Sequence, residues 1–191
     1  GIFEREVVRV ITPGTLFEPD LLQNDKNNYL CAAIYGDLEV GLAIADISTG
    51  ECFAGDFPHH LVTDEITRHS VAELICDNKV RILFEENGGL PSSVRIVTPE
   101  NNNIAQIVEK IKKFLNIKDI KGLGCVQGKP SLLAVNEIID YISETQKQVL
   151  PKFNNISTLS REGFLLFDNQ VSRDLELFET LNPSSKSLTL F

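Results

Sequence analysis

Methionine and tryptophan are absent from the chain, and only three tyrosines and three histidines occur in 191 residues. Aromatics make up 7% of the sequence, too few to read as a row of rings on which single-stranded bases would stack. Positive charge is scarce as well: 18 Lys and Arg against 27 Asp and Glu leave a net charge of −9. Binding to phosphate backbones is driven by Lys and Arg displacing counterions, so this balance argues against the chain gripping nucleic acid by itself. The four cysteines, Cys31, Cys52, Cys76 and Cys125, are widely spaced and form no CxxC pair, which points to neither a zinc site nor a redox couple. Buried reduced thiols in a reducing cytoplasm are the expectation. No apolar run is long enough to span a bilayer, and no signal peptide is recognisable.

What is present is an ordinary globular composition, 42% apolar and 24% charged. The length suits one generous domain, or one domain with part of another. The start at Gly1 without Met, and the apolar finish Leu188-Thr189-Leu190-Phe191, lead us to expect a piece of a longer protein.

The chain is organised around residues 28–57. They read as strands at Tyr29–Tyr35, Leu38–Ser48 and Glu51–Phe57, forming an antiparallel meander. Gly36-Asp37 suggests a hairpin of the II′ kind with Gly at positive φ, and Thr49-Gly50 a second tight turn. Leu38, Val40, Leu42 and Ile44 line one face of the middle strand. Gly41, Ala43 and Ala45 line the other, where a helix can lie close.

Before the meander, alternation over residues 1–15 predicts an edge strand stopped by Pro13-Gly14, followed by an acidic linker over Leu16–Lys26. After it, a helix is expected over Asp64–Asp77, capped by Thr63, with Ile66, Ser70, Val71, Leu74 and Ile75 inward. Short strands follow at Val80–Phe84 and Val94–Thr98, flanking a solvated loop that begins Glu85-Glu86. Ile104, Ile107, Val108, Ile111, Phe114 and Leu115 have helical spacing, with Asn102 or Asn103 as cap and Lys110, Lys112 and Lys113 outward. Pro130–Val149 reads as the longest helix, stopped by Pro151. A strand-like run at Gly163–Phe167 and an amphipathic helix at Val171–Leu181 close the chain.

Few residues suggest chemistry. His59, His60 and His69 fall short of the donor cluster a metal needs and read as solvated. Glu85 and Glu86 are adjacent and would face opposite ways on a strand, so they read as loop carboxylates and not as an acid/base pair. Lys118–Gly124 (KDIKGLG) lacks the GK[ST] ending of a phosphate loop. The residue pattern therefore assigns no catalytic, cofactor or metal residue.

Four stretches carry a family resemblance: Arg5–Thr15 (REVVRVITPGT), Asp46–Gly50 (DISTG), the spacing of Tyr141, Thr145, Gln146, Lys147, Leu150 and Pro151, and Phe167–Leu177. In the last of these, Asp168, Arg173, Leu175, Glu176 and Leu177 agree with the family pattern, while Ser172 and Asp174 stand where Thr and Asn are usual. In this order and over nearly the whole chain, they resemble the MutS family of bacterial DNA mismatch-repair proteins. The resemblance implies three segments. Residues 1–15 would be a linker strand from the mismatch-binding domain, residues 16–150 a ribonuclease-H-like α/β connector domain, and residues 151–191 the start of the helical lever/core domain.

The resemblance also implies a cytoplasmic protein whose connector couples mismatch binding to ATP-driven clamp formation and offers a surface to a MutL-type partner. ATP, Mg²⁺, mismatched DNA and homodimer contacts would belong to the full-length protein, since neither a Phe-x-Glu mismatch-reading motif nor a GxxxxGK[ST] loop is present. The partner surface is expected on the connection around Asn116–Lys121, with Lys118, Asp119 and Lys121 as its charged residues. The alternative reading is a ribonuclease-H-like nuclease with Asp46 as first metal ligand and Glu73, on the following helix, as second.

Overall fold

A computed structural model describes residues 10, 12–15, 28–87, 89–99, 103–120, 123, 129–146, 153 and 155–159. All belong to a unit covering Gly1–Leu159, and the second unit, Ser160–Phe191, contains none of them. The expected linker Leu16–Lys26, the strand at Gly163–Phe167 and the helix at Val171–Leu181 thus lie outside the described residues.

The meander forms as its alternation and turns dictate. Strands β1 (Tyr29–Tyr35), β2 (Glu39–Asp46) and β3 (Glu51–Pro58) pair antiparallel, with Ala32 opposite Ala43 and Ala43 opposite Ala54. Strand β4 (Glu73–Cys76) runs parallel to β1, and β5 (Val94–Ile96) parallel to β4. The two-residue β6 (Ser157–Thr158) adds parallel to β3, giving the order β5-β4-β1-β2-β3-β6. That 5-4-1-2-3 core is compatible with a ribonuclease-H-like fold.

Helices cover both faces. On one, Val40, Leu42 and Ile44 pack with Val62 and Ile66 of α1 (Val62–Arg68) and with Val80 and Phe84 of α2 (Asn78–Asn87). On the other, Ala32, Ala43, Ala45 and Ala54 meet Ile107 and Ile111 of α3 (Ile104–Leu115) and a long stripe of α4 (Lys129–Thr145), from Leu132 to Ile142. The small-residue face does admit a helix closely. A Cβ on Gly41 would fall 2.0 Å from the Pro130 carbonyl carbon. Asp56, from β3, completes the seat by accepting the Ser131 backbone N–H (2.9 Å) and hydroxyl (2.8 Å) in the first turn of α4.

Five expectations need correction. The helix predicted over Asp64–Asp77 ends at Arg68: Ser70 adopts φ 49°, and Glu73–Cys76 is a strand. The apolar Leu74-Ile75-Cys76 is buried on both sides of the sheet, so it has no alternation to distinguish it from a helical stripe. Thr63 lies within α1 and does not cap it. Conversely, the strand predicted at Val80–Phe84 is part of α2, which Asp77 initiates by accepting the Lys79 and Val80 N–H groups, both at 2.9 Å. Gly36 is not at positive φ, whereas Gly50 is (75°). Glycine is required at 36 by space, since a Cβ would lie 2.5 Å from Pro130 Cγ. Finally, Leu38 stands 87% exposed in the β1–β2 loop instead of lining the middle strand.

At the N-terminal side, Pro13–Thr15 is a single 3₁₀ turn, as the Pro-Gly pair suggests; Val7, Arg9 and Ile11 lie outside the described residues. Asn103 caps α3 and Asn116 ends it in the left-handed conformation (φ 55°). Helix α4 begins at Lys129 with Pro130 in its first turn, and Val149 is not described.

Candidate functional site

Asp46 and Glu73 are the two carboxylates with a candidate chemical role, and the fold separates them. Asp46 ends β2 on the face of Ile44, while Glu73 opens β4 on the face of Ile75, so the two project from opposite sides of the sheet. The placement of Glu73 on a following helix is thus corrected to a strand. Paired metal ions about 4 Å apart need carboxylates converging on one point, which this arrangement does not provide.

Both carboxylates are spent on the fold. Asp46 is buried, and its Oδ1 accepts from the Ser48 N–H (2.8 Å), the Ser48 hydroxyl (2.6 Å) and the Thr49 N–H (3.3 Å). These contacts form an Asx-type turn that shapes the DISTG loop. Glu73 accepts from the Tyr141 hydroxyl (2.6 Å) and the Gly14 N–H (2.9 Å). Burial, and then the bond to Glu73, push the Tyr141 phenol up to about 12.

The histidines do not meet. His59 stacks on Tyr35 with ring centroids 4.4 Å apart and donates from Nε2 to the Gly36 carbonyl (3.0 Å). His69 lies against buried Glu65 and the edge of Tyr29, and His60 is exposed. Only His60 therefore matches the solvated reading. Glu85 and Glu86 are exposed on α2 and not in a loop, with Glu85 paired to Arg81 one turn earlier.

A pocket of mixed lining opens between β5 and α4, with Ile75 and Val97 beside Arg95, Glu137, Asp140, Tyr141 and Glu144. Arg95 covers the Tyr141 ring at 4.9 Å and pairs with Glu144 at 2.8 Å. Burial, and then the Asp140 carboxylate, hold the Glu137 carboxyl above its usual range. Lys110 is not simply outward: it bridges α3 to α4 through Asn136 (2.9 Å) and Asp140.

The connection expected to meet a partner begins at the Asn116 cap. Lys118 and Asp119 are exposed there, and Lys121 lies outside the described residues. Three polar roles escaped the sequence reading. Asp77 preceding an Asn-Lys-Val run is a local cap signature and was legible. Asp56 and Ser131 are 75 positions apart, and Glu73 and Tyr141 are 68 apart, so nothing local marks either pair.

Geometry thus defines an α/β/α domain in which buried Asp46 shapes a turn and buried Glu73 holds distant chain segments together. A family model for MutS domain II matches residues 28–154, and the chain belongs to that family. It is 31% identical to the DNA mismatch repair protein MutS of Halothermothrix orenii over 95% of its length, covering 21% of that protein. Against the proteins of the same name from Alkaliphilus oremlandii and Clostridioides difficile it is 32% identical over 100% of its length, covering 23% and 20% of them. The chain therefore spans about a fifth of the length of the curated relatives it matches.

Proposed function

We propose that this chain serves DNA mismatch repair as a connector, coupling mismatch binding in the longer protein to ATP-driven clamp formation without catalysing a reaction itself. What supports this reading is the use of its buried acids. Asp46 shapes a loop, and Glu73 joins distant segments. Rigid transmission needs side chains placed in this way, whereas hydrolysis needs them free. ATP, Mg²⁺, mismatched DNA and a second subunit are then met by other parts of the longer protein, in the cytoplasm. No helix among the described residues is long and apolar enough to cross a membrane.

A MutL-type partner would be met around Asn116–Lys121, where Lys118 and Asp119 are exposed beside the α3 cap. Rim charges mainly steer encounter. Reversing Asp119 and Lys121 together in the full-length protein should lower the low-salt association rate of the partner by about tenfold, with the difference fading as salt rises. An unchanged rate would move the interface elsewhere on the domain. The isolated chain, at net charge −9, should neither turn over ATP nor bind mismatched duplex with sub-micromolar affinity at about physiological salt. Either activity, in proportion to pure protein, would defeat the connector reading.

A further inference from the structure

We propose that Glu73 is a latch joining Val10 and the turn Thr12–Thr15 to the C-terminal end of α4, so that these stretches loosen and tighten as one unit. Glu73 is 4% exposed, and its two carboxylate oxygens are divided between two chain segments. Oε1 accepts the Tyr141 hydroxyl of α4 at 2.6 Å, and Oε2 accepts the Gly14 N–H at 2.9 Å. One side chain on β4 thereby holds residues that are 127 positions apart (14 to 141).

The site is built for this contact. A Cβ on Gly14 would fall 2.9 Å from Glu73 Cβ and 3.0 Å from both Glu73 Oε2 and Leu30 Cδ1, so only glycine lets the backbone come this near. The Pro13–Thr15 turn that presents Gly14 is closed on itself, the Thr12 N–H donating to Thr15 Oγ1 (2.9 Å) and the Thr15 N–H to the Thr12 carbonyl (3.0 Å). A second tie runs alongside: the Val10 N–H donates to the Thr145 carbonyl (2.9 Å), and the Gln146 side-chain amide to the Val10 carbonyl (3.3 Å). Thr145 and Gln146 are both buried.

An apolar side chain at 73 would fill this place at lower desolvation cost. What it could not do is hold two donors in fixed relation. Charge-assisted bonds are about twice as strong as neutral ones, and both here depend on a single carboxyl orientation. Removing the Tyr141 hydroxyl frees that carboxyl to rotate, so Gly14 loses its acceptor geometry; it also removes a direct bond between Tyr141 and the Thr12 side chain, a second tie to the same turn. The coupling is reciprocal. What the latch is for rests on the connector reading, whereas its existence does not.

Amide hydrogen exchange on the whole 191-residue chain tests it. In Tyr141→Phe, which keeps the ring beneath Arg95, the Gly14 and Val10 amides should exchange faster together, by about tenfold or more. Amides of the β1–β2 ladder, such as Ala32 and Ala33, should change by no more than about twofold. Glu73→Gln should reproduce the pattern more strongly, and if that variant fails to fold, comparison with Thr12→Val decides. Thr12→Val removes the direct Thr12–Tyr141 bond but keeps Glu73, so it should accelerate Gly14 less than Tyr141→Phe does, and equal acceleration overturns the latch. Unchanged exchange at Gly14 overturns the latch. So does acceleration at Gly14 without Val10, or an equal rise everywhere. If the exchange pattern appears but Tyr141→Phe leaves mismatch-stimulated ATP turnover of the longer protein unaltered, the latch stands and the connector reading suffers.

Discussion

Asp46 shows how one side chain can resemble a catalyst and act as a scaffold. Three donors converge on its Oδ1 within 3.3 Å, all from the loop that joins β2 to β3. Asp46→Ala would leave the Ser48 and Thr49 N–H groups without that acceptor in a partly buried turn. The expected loss is about 1–3 kcal/mol of stability, read as a shift of the urea midpoint with unchanged slope. A variant as stable as the parent would mean that the loop holds its shape without this carboxylate. The role itself was legible from the sequence, because an Asp two residues before Ser-Thr-Gly is a local signal whose donors lie within three positions. Glu73 had no such signal, its donors lying 59 and 68 positions away.

Docking of α4 on the meander decides whether the element pattern becomes a core. Gly41→Ala would drive a Cβ to 2.0 Å from the Pro130 carbonyl carbon and 2.2 Å from the Ser131 nitrogen. Both are backbone atoms at a helix start pinned by Asp56, so α4 must lift. The expected cost is about 3 kcal/mol or more, at or beyond the upper end for overpacking. Gly55→Ala is the control: its Cβ would meet the Leu159 carbonyl oxygen at 2.4 Å, beside the two-residue edge strand β6, which can detach at smaller cost. Equal losses from the two would deny α4 its central place. The small-residue face that admits α4 was visible in Gly41, Ala43 and Ala45, since period-two alternation is a property of the strand itself. The stretch from Asp64 to Phe84 misled because Leu74-Ile75-Cys76 is too short and too uniformly apolar to show a period. Val80 and Phe84, four apart, suit a helix turn better than a strand face, and Asp77 marked its start.

For the molecule as a whole, the interior should set a limit on the alkaline side. Cys31, Cys52 and Cys76 are buried, and Cys125 lies outside the described residues. Burial, and then the neighbouring Cys76, push the Cys31 thiol far above its usual 9.0. Burial, and then Asp77, push Cys76 up to about 12, and Tyr141 rises from 10.0 to about 12. In each case the fold favours the neutral form, so above the ordinary pKa the unfolded chain holds fewer protons than the native one. Stability then falls as pH rises, since its slope follows the protons bound by the unfolded minus the native state. Unfolding free energy from urea titrations should show no contribution from these groups below about pH 8.5 and a decline from about pH 9 toward 12. Tyr141→Phe should flatten the decline between about pH 10 and 12, and Cys31→Ala should flatten it from about pH 9 onward, although each variant starts from a lower value at pH 7. A decline of the same steepness in parent and both variants would assign the alkaline limit to other groups. Because the chain already carries −9, general charge repulsion is the competing cause, and about 0.5 M salt separates the two. Screening should relieve repulsion between surface charges while leaving the buried thiols and the Tyr141 phenol to titrate as before.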